Sequence, residues 1–298
     1  MKRILLTTTS LVLAAGVAQA DVTFSGSAGV ALIDDNGKSD ATRVDMFVES
    51  YYDFDIAASA ESDNGVSVSV GFDMGAGSKI DYNDDDVLEA QGGSIGDADV
   101  TIGFNGWTLA VDQAGIDNLF DDTDGAQDMS LSGAVGDITV AFTTDLEGST
   151  SSYKIGGNVG GIALTLTGTD NDDAGGDATG ISASYAMGAA TISVSTSDES
   201  NDAEDDTSIG IKYTMSDALT VSYTSIEPGS AGSFGDEWDA SVAYSNGSMS
   251  ASFALDETDA TTIIADFALG GGASAFAAMH DKAGTASDLT TIGLNFAF

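Results

Sequence analysis

Residues 288–298 read DLTTIGLNFAF, and their pattern decides the fold. Ile292, Leu294, Phe296 and Phe298 alternate with Thr291, Gly293, Asn295 and Ala297. Successive side chains of a strand point to opposite faces, so one face here is wholly apolar and the other small or polar. Such a strand lies between two different solvents. The same period of two recurs outward from this stretch. Over residues 43–60, Val44, Met46, Val48, Tyr52, Phe54 and Ile56 face one way, and Arg43, Asp45, Glu49, Asp53 and Asp55 the other. Val22, Phe24, Ala28, Val30 and Leu32 separate in the same manner from Thr23, Ser25 and Ser27, and Val66, Val68, Val70 and Phe72 from serines and glycine. Asn64-Gly65 between two such runs is a hairpin signal. Further turns are expected around Gly96-Asp97, Val135-Gly136-Asp137, Gly160-Gly161, Met187-Gly188, Met215-Ser216-Asp217, Asn246-Gly247 and residues 269–272. Eight hairpins with a first and a last strand make about 18 strands, an all-β chain.

Composition agrees. Of 298 residues 42% are apolar and the mean hydropathy is +0.07, too polar for a bundle of membrane helices and too apolar for a disordered acidic chain. The long apolar run, residues 4–17, follows Lys2 and Arg3 and precedes Ala18-Gln19-Ala20. It is too short to span a membrane and reads as a secretory signal. The expected organisation is a cleaved signal peptide, 1–20, and one domain, 21–298. There is no cysteine and a single proline, Pro228, so no disulfide framework holds the fold and few ladder N–H groups are missing. Without the first twenty residues six bases face 48 acids, a net charge of about −42, which makes nucleic acid an unsuitable partner.

Two asymmetries point to a membrane barrel rather than a soluble sandwich. Short turns alternate with longer acidic loops at 34–37, 81–86, 170–177 and 197–206, as for barrels with a short periplasmic rim and a long extracellular one. Tyr185, Tyr213, Tyr244 and Phe267 each lie a few residues before a short turn, the height of an interfacial aromatic girdle. The opposite, inward set is mostly Ser, Thr, Gly, Ala and Asn, too small to fill a wide barrel, so a water-filled channel is expected.

The terminal apolar ladder Ile292, Leu294, Phe296 and Phe298 resembles the C-terminal assembly signal of Gram-negative outer-membrane β-barrel proteins. Leu269-Gly270-Gly271-Gly272-Ala273-Ser274, a loop, and this strand are similar to the closing hairpin of the alphaproteobacterial, Rhodobacter-type porins. The resemblance implies a transmembrane antiparallel up-and-down β-barrel of 16–18 strands, usually 16 in that family. It implies a general diffusion porin in the cell outer membrane, passing small hydrophilic solutes and ions without a chemical step or cofactor. The partners implied are outer-membrane lipid and lipopolysaccharide, the outer-membrane assembly machinery and two further copies in a homotrimer.

In that family the third long loop folds into the barrel and narrows it. The matching stretch is 105–127, where Trp107, Leu109, Val111, Ile116, Leu119 and Phe120 stand amid Asp112, Asp117, Asp121, Asp122 and Asp124. It is too apolar for a free surface loop. The candidate constriction residues are therefore Trp107, Asp112, Asp117, Asp121, Asp122 and Asp124; a flap over the outer mouth or packing on a neighbouring subunit is the competing reading. Candidate pore-wall residues are Arg43, Asp45, Glu49, Asp53, Asp55, Lys154 and Lys212, the three bases either setting selectivity or neutralising adjacent acid.

So few inward bases argue against an anion-selective pore and for cation preference. The acidic loops suit Ca²⁺ in ligand type, but no loop has EF-hand spacing. His280 is the sole histidine and is expected at a strand's outer rim; no GxSxG or phosphate-binding loop is present. The alternatives are a substrate-selective channel of the same fold and a secreted acidic, calcium-binding surface β protein.

Overall fold

Ser27 pairs with Ala297, so strands at the two ends of the sequence are neighbours in space. The computed structural model describes residues 20–35, 46–80, 82, 88–90, 99–120, 127–148, 150–171, 176–199, 205–227, 237–281 and 288–298. Its strands are β1 (Ala20–Asp35), β2 (Met46–Glu61), β3 (Val66–Ile80), β4 (Leu88–Ala90), β5 (Asp99–Phe104), β6 (Trp107–Ile116), β7 (Gln127–Val135), β8 (Ile138–Thr144), β9 (Thr150–Val159) and β10 (Ile162–Asn171). They continue as β11 (Ala178–Met187), β12 (Ala190–Glu199), β13 (Asp206–Ser216), β14 (Leu219–Glu227), β15 (Glu237–Asn246), β16 (Met249–Asp256), β17 (Thr261–Gly270), β18 (Ala273–Asp281) and β19 (Leu289–Ala297).

The three-residue β4 pairs with the end of β3 alone. The other strands pair antiparallel with both neighbours in chain order, β3 with β5, and β19 closes on β1. The result is a closed barrel of 18 strands with no sheet edge left open, the only way a sheet satisfies its backbone within lipid. Most strands run about ten residues, enough to cross a bilayer core when tilted. The first three, at 15 or 16 residues, are longer than that.

The apolar face is outside. Val48, Ile181, Ile292 and Phe298 are 64%, 55%, 58% and 65% exposed, the inverse of a soluble core. The buried apolar residues Ala31, Ile33, Tyr51, Phe276, Ala278 and Leu289 all stand on the inner parity of their strands. At the seam Gly26 and Phe298 exchange backbone hydrogen bonds of 3.0 Å. The Phe298 ring covers Gly26 on the outer face and stacks on Phe54 at 6.5 Å, and Phe54 in turn on Phe24 at 6.1 Å. The terminal aromatic residue thus fastens last strand to first.

One turn falls elsewhere than the sequence suggested. β5 and β6 are joined at Asn105-Gly106, whose φ values of 51° and 80° are both left-handed, as a two-residue type I′ hairpin requires. Residues 107–116 are therefore strand, and the third long connection is 117–126 rather than 105–127. Gly96-Asp97 lies outside the described residues.

Candidate functional site

With apolar residues committed to lipid, the functional surface is the inner wall. β2 presents Glu49, Asp53 and Asp55 inward, as expected from their alternation with Val48, Tyr52 and Phe54. The wall adds two acids that the sequence reading did not single out: Asp73, directly opposite Asp55, and Asp99, beside Gly71 on β3. Ser25 Oγ donates to Asp55 Oδ2 at 3.3 Å, and Lys79 lies close enough for its charge to act on Asp53. Like charges facing each other across a ladder are destabilising, so this face is not arranged for stability alone.

The other described bases named as wall candidates lie elsewhere. Lys212 faces inward on β13, nine strands from β3 by either route around the barrel and therefore opposite it. Lys154 faces inward on β9, where Ser132, Ala141, Gly156 and Thr165 line a recess beside it. Arg43 and Asp45 lie outside the described residues.

The expected constriction residues do not come together as one loop. Trp107 is a wall residue on the outer parity of β6, its indole covering Gly133 beside the short turn, where an aromatic belongs to the lipid interface. Its place in a constriction is thereby corrected: the alternation Trp107, Leu109, Val111 is a strand's lipid-facing set. Asp112 lies in the irregular outer part of β6, its carboxylate over Gly115 where the register with β7 shifts. Asp117 begins the connection and is exposed. Asp121, Asp122 and Asp124 lie outside the described residues.

What holds the start of that connection is Asn118, 5% exposed. Its Nδ2 donates to Thr169 Oγ1 at 2.9 Å, and its Oδ1 accepts the Phe120 N–H at 2.8 Å. The Leu119 N–H donates to Ser152 Oγ at 2.8 Å, which in turn bonds Gln127 Oε1 at 3.3 Å and the Thr143 hydroxyl. Thr143, Ser152 and Thr169 have the inner parity of β8, β9 and β10 and are nearly inaccessible at 0%, 1% and 6%. Phe120 approaches Gly180 on the same face of β11. Residues 117–120 therefore lie against the inner wall toward its outer end.

A second group lines the wall near the seam. Phe276 on β18 packs with Ala31, Ile33 and Leu289, joined by Phe47 and by Tyr82 from beyond β3. His280 stands near the outer end of β18, as expected, and is 4% exposed there, its Nδ1 3.2 Å from Thr262 Oγ1. The inner lining is thus less uniformly small and polar than its composition suggested. The acidic loops proposed as calcium sites fall largely outside the described residues.

A family model described as Gram-negative porin matches residues 7–297. No curated protein matches the sequence. Among solved structures, a two-substitution variant of the Rhodobacter blastica porin is similar at a TM-score of 0.59 and 16% identity, covering 93% of this chain and 100% of that one. A variant of the same porin with two bases replaced by alanine gives 0.58, 16%, 93% and 100%. The Vibrio cholerae outer-membrane protein OmpT lacking its loop L8 gives 0.51, 14%, 94% and 99%. At these identities the structures speak for the barrel, and the family match for the kind of barrel.

Proposed function

The chain belongs to the Gram-negative porin family, and from that premise we propose that its channel prefers cations and is narrowed near its outer mouth by the connection that begins at Asp117. A porin is a non-enzymatic diffusion channel of the outer membrane through which small solutes pass. The observation carrying the cation preference is the inner wall of β2, β3 and β5, where Glu49, Asp53, Asp55, Asp73 and Asp99 share one face against Lys212 on the far side. Fixed charge on a low-dielectric wall raises the local concentration of its counterion. The Debye length is about 10 Å at 0.1 M, so the preference is strong in dilute salt and fades as salt rises.

Support for the narrowing comes from Asn118 and Leu119, which bond inward residues of β10 and β9, and from Phe120, whose ring approaches Gly180 of β11. The proposal includes removal of residues 1–20 on export, from the basic start, short apolar run and Ala18-Gln19-Ala20, and assembly as a homotrimer, from family likeness. Calcium at the acidic loops is retained as an accessory proposal, tested by whether chelation alters the oligomer on native gels.

The deciding experiment is the zero-current potential of the purified protein in a planar bilayer under a tenfold KCl gradient. The parent should be cation-selective. Changing Glu49, Asp53, Asp55 and Asp73 together to their amides should reduce selectivity more than neutralising Asp198, Asp202, Glu204 and Asp205 at and beyond the outer end of β12. Anion selectivity in the parent, or equal effects of the two sets, would refute the electrostatic reading.

A further inference from the structure

Tyr82 stands two residues beyond the end of β3, yet its partners are on the far side of the seam. Its ring stacks on Phe276 of β18 with centroids 4.0 Å apart and planes at 9°, and its hydroxyl donates to Asp266 Oδ1 of β17 at 2.7 Å. From β3 to β18 the wall passes through β2, β1 and β19. Four inter-strand spacings of about 4.8 Å make an arc of about 19 Å. The five residues from Gly77, where β3 last pairs with β2, reach about 17 Å when extended. Tyr82 has therefore left β3's place in the wall and lies inside the barrel, against the inner face of β17 and β18.

The departure begins at Gly77. This is the last residue of β3 paired with β2, and its φ of 87° is left-handed. A methyl group there would collide with the Ser50 carbonyl and the Tyr51 backbone, so the close approach requires glycine. Beyond it Ser78, Lys79 and Ile80 pair with Ala90, Glu89 and Leu88 instead. The strand exchanges its place in the wall for a small hairpin of its own.

The destination is at mid-height. Phe276 is the fourth residue of the nine in β18 and Asp266 the sixth of the ten in β17. In a ring of 18 strands the one opposite β18 is β9, nine pairings away in either direction. It is β9 that accepts the Leu119 N–H through Ser152. Two inward elements thus stand on opposite walls at staggered heights, residues 117–120 toward the outer mouth and the Tyr82–Phe276 pair deeper.

We propose that Tyr82 is a second size-determining residue of the channel: docked on Phe276 and Asp266, it takes up lumen space on the wall opposite the 117–120 segment, and permeating solutes pass between the two. The inference rests on the channel reading above. A stacked pair buries Phe276 to 3% exposure, and the hydroxyl bond to a carboxylate fixes the ring's direction, so the element is braced rather than loosely draped.

Single-channel conductance and the size limit for neutral polyethylene glycols test this in planar bilayers, on protein shown to be folded by its anomalous mobility on unheated gels. Tyr82→Ala should raise both, while Tyr82→Phe, which keeps the ring and loses the hydroxyl bond, should raise them less. Because the chain has no cysteine, Tyr82→Cys offers a single thiol, and a cationic methanethiosulfonate reagent should reduce its current and leave the parent's unchanged. Parent-like conductance and size limit in folded Tyr82→Ala, or modification of Tyr82→Cys without a change in current, would overturn the proposal while leaving the channel reading intact. A parent that carries no current would overturn the channel reading, and this inference with it.

Discussion

Gly26→Ala should weaken the barrel seam by an amount the structure lets one bound. The added methyl would lie 2.5 Å from the Asp53 carbonyl oxygen and 2.9 and 3.0 Å from two atoms of the Phe298 ring. Carbon atoms rest about 3.5–4.0 Å apart, so the ring must retreat by roughly 0.5–1 Å. Phe298 then loses its 6.5 Å stack on Phe54. Forcing a methylene-sized group into a close-packed site costs about 1–3 kcal/mol, and an aromatic pair contributes about 0.5–1.5, so the expected loss is about 1.5–4.5 kcal/mol. Gly71→Ala is the control. A methyl there would meet only Asp99 Oδ2 at 3.7 Å and the Ile56 carbonyl at 4.0 Å, which is ordinary contact, and should be neutral or slightly stabilising. The assay is reversible urea unfolding in phospholipid vesicles, followed by tryptophan fluorescence and gel mobility. In a Phe298→Ala background the cost of Gly26→Ala should fall to the part due to the Asp53 carbonyl. A cost no larger than that of Gly71→Ala, or one unchanged without the ring, would refute the account of the seam.

The two faces of β11 should answer differently to one cation: Ile181→Arg, 55% exposed on the outer face, should cost about 2–4 kcal/mol near the bilayer midplane, whereas inward Ser182→Arg should fold normally and lower conductance. Equal folded yields in vesicles would show the faces misassigned. Asn118→Ala leaves the Phe120 N–H and Thr169 hydroxyl without their buried partner, a loss of about 1–3 kcal/mol, and should also raise conductance by freeing the segment from the wall; an unchanged single-channel current would count against a narrowing role for 117–120. Deleting Phe298 should reduce the fraction of protein recovered in the outer membrane after cell fractionation, and full recovery would remove the terminal ring from assembly.

The barrel itself was legible because alternation with an apolar outer face is imposed by lipid on every strand, and residues 288–298 carry it without interruption. The inward parity of Glu49, Asp53, Asp55, Lys154 and Lys212 followed from the same rule. The rule also contained Asp73 and Asp99, which alternate with Phe72 and Val100 but were not followed onto the wall. Trp107 was misplaced because an apolar stretch too greasy for a surface loop has two physical solutions, an inward loop or a strand against lipid. Asn105-Gly106, the same dipeptide that marked the turn at Asn64-Gly65, distinguishes them. Tyr82 and Asn118 had no such local mark. Their partners are far away in sequence, 184 residues from Tyr82 to Asp266 and 51 from Asn118 to Thr169, and become neighbours only after the strands between have paired, for Tyr82 only when the ring is closed.

That closure sets a condition on how the molecule can be made. The pairing of Ser27 with Ala297 spans almost the whole polypeptide, so the first strand must wait for the last residue to arrive before its second ladder can form. Until then both ends present unpaired backbone, and the outward face presents bare hydrocarbon to water. Such an open ribbon is as ready to pair with another copy as with itself. Loop closure over so long a span is slow compared with the formation of its local hairpins. Each chain therefore passes through an interval in which it is fully synthesised, mostly hairpinned and still adhesive, and the yield of the finished pore depends on keeping that interval solitary.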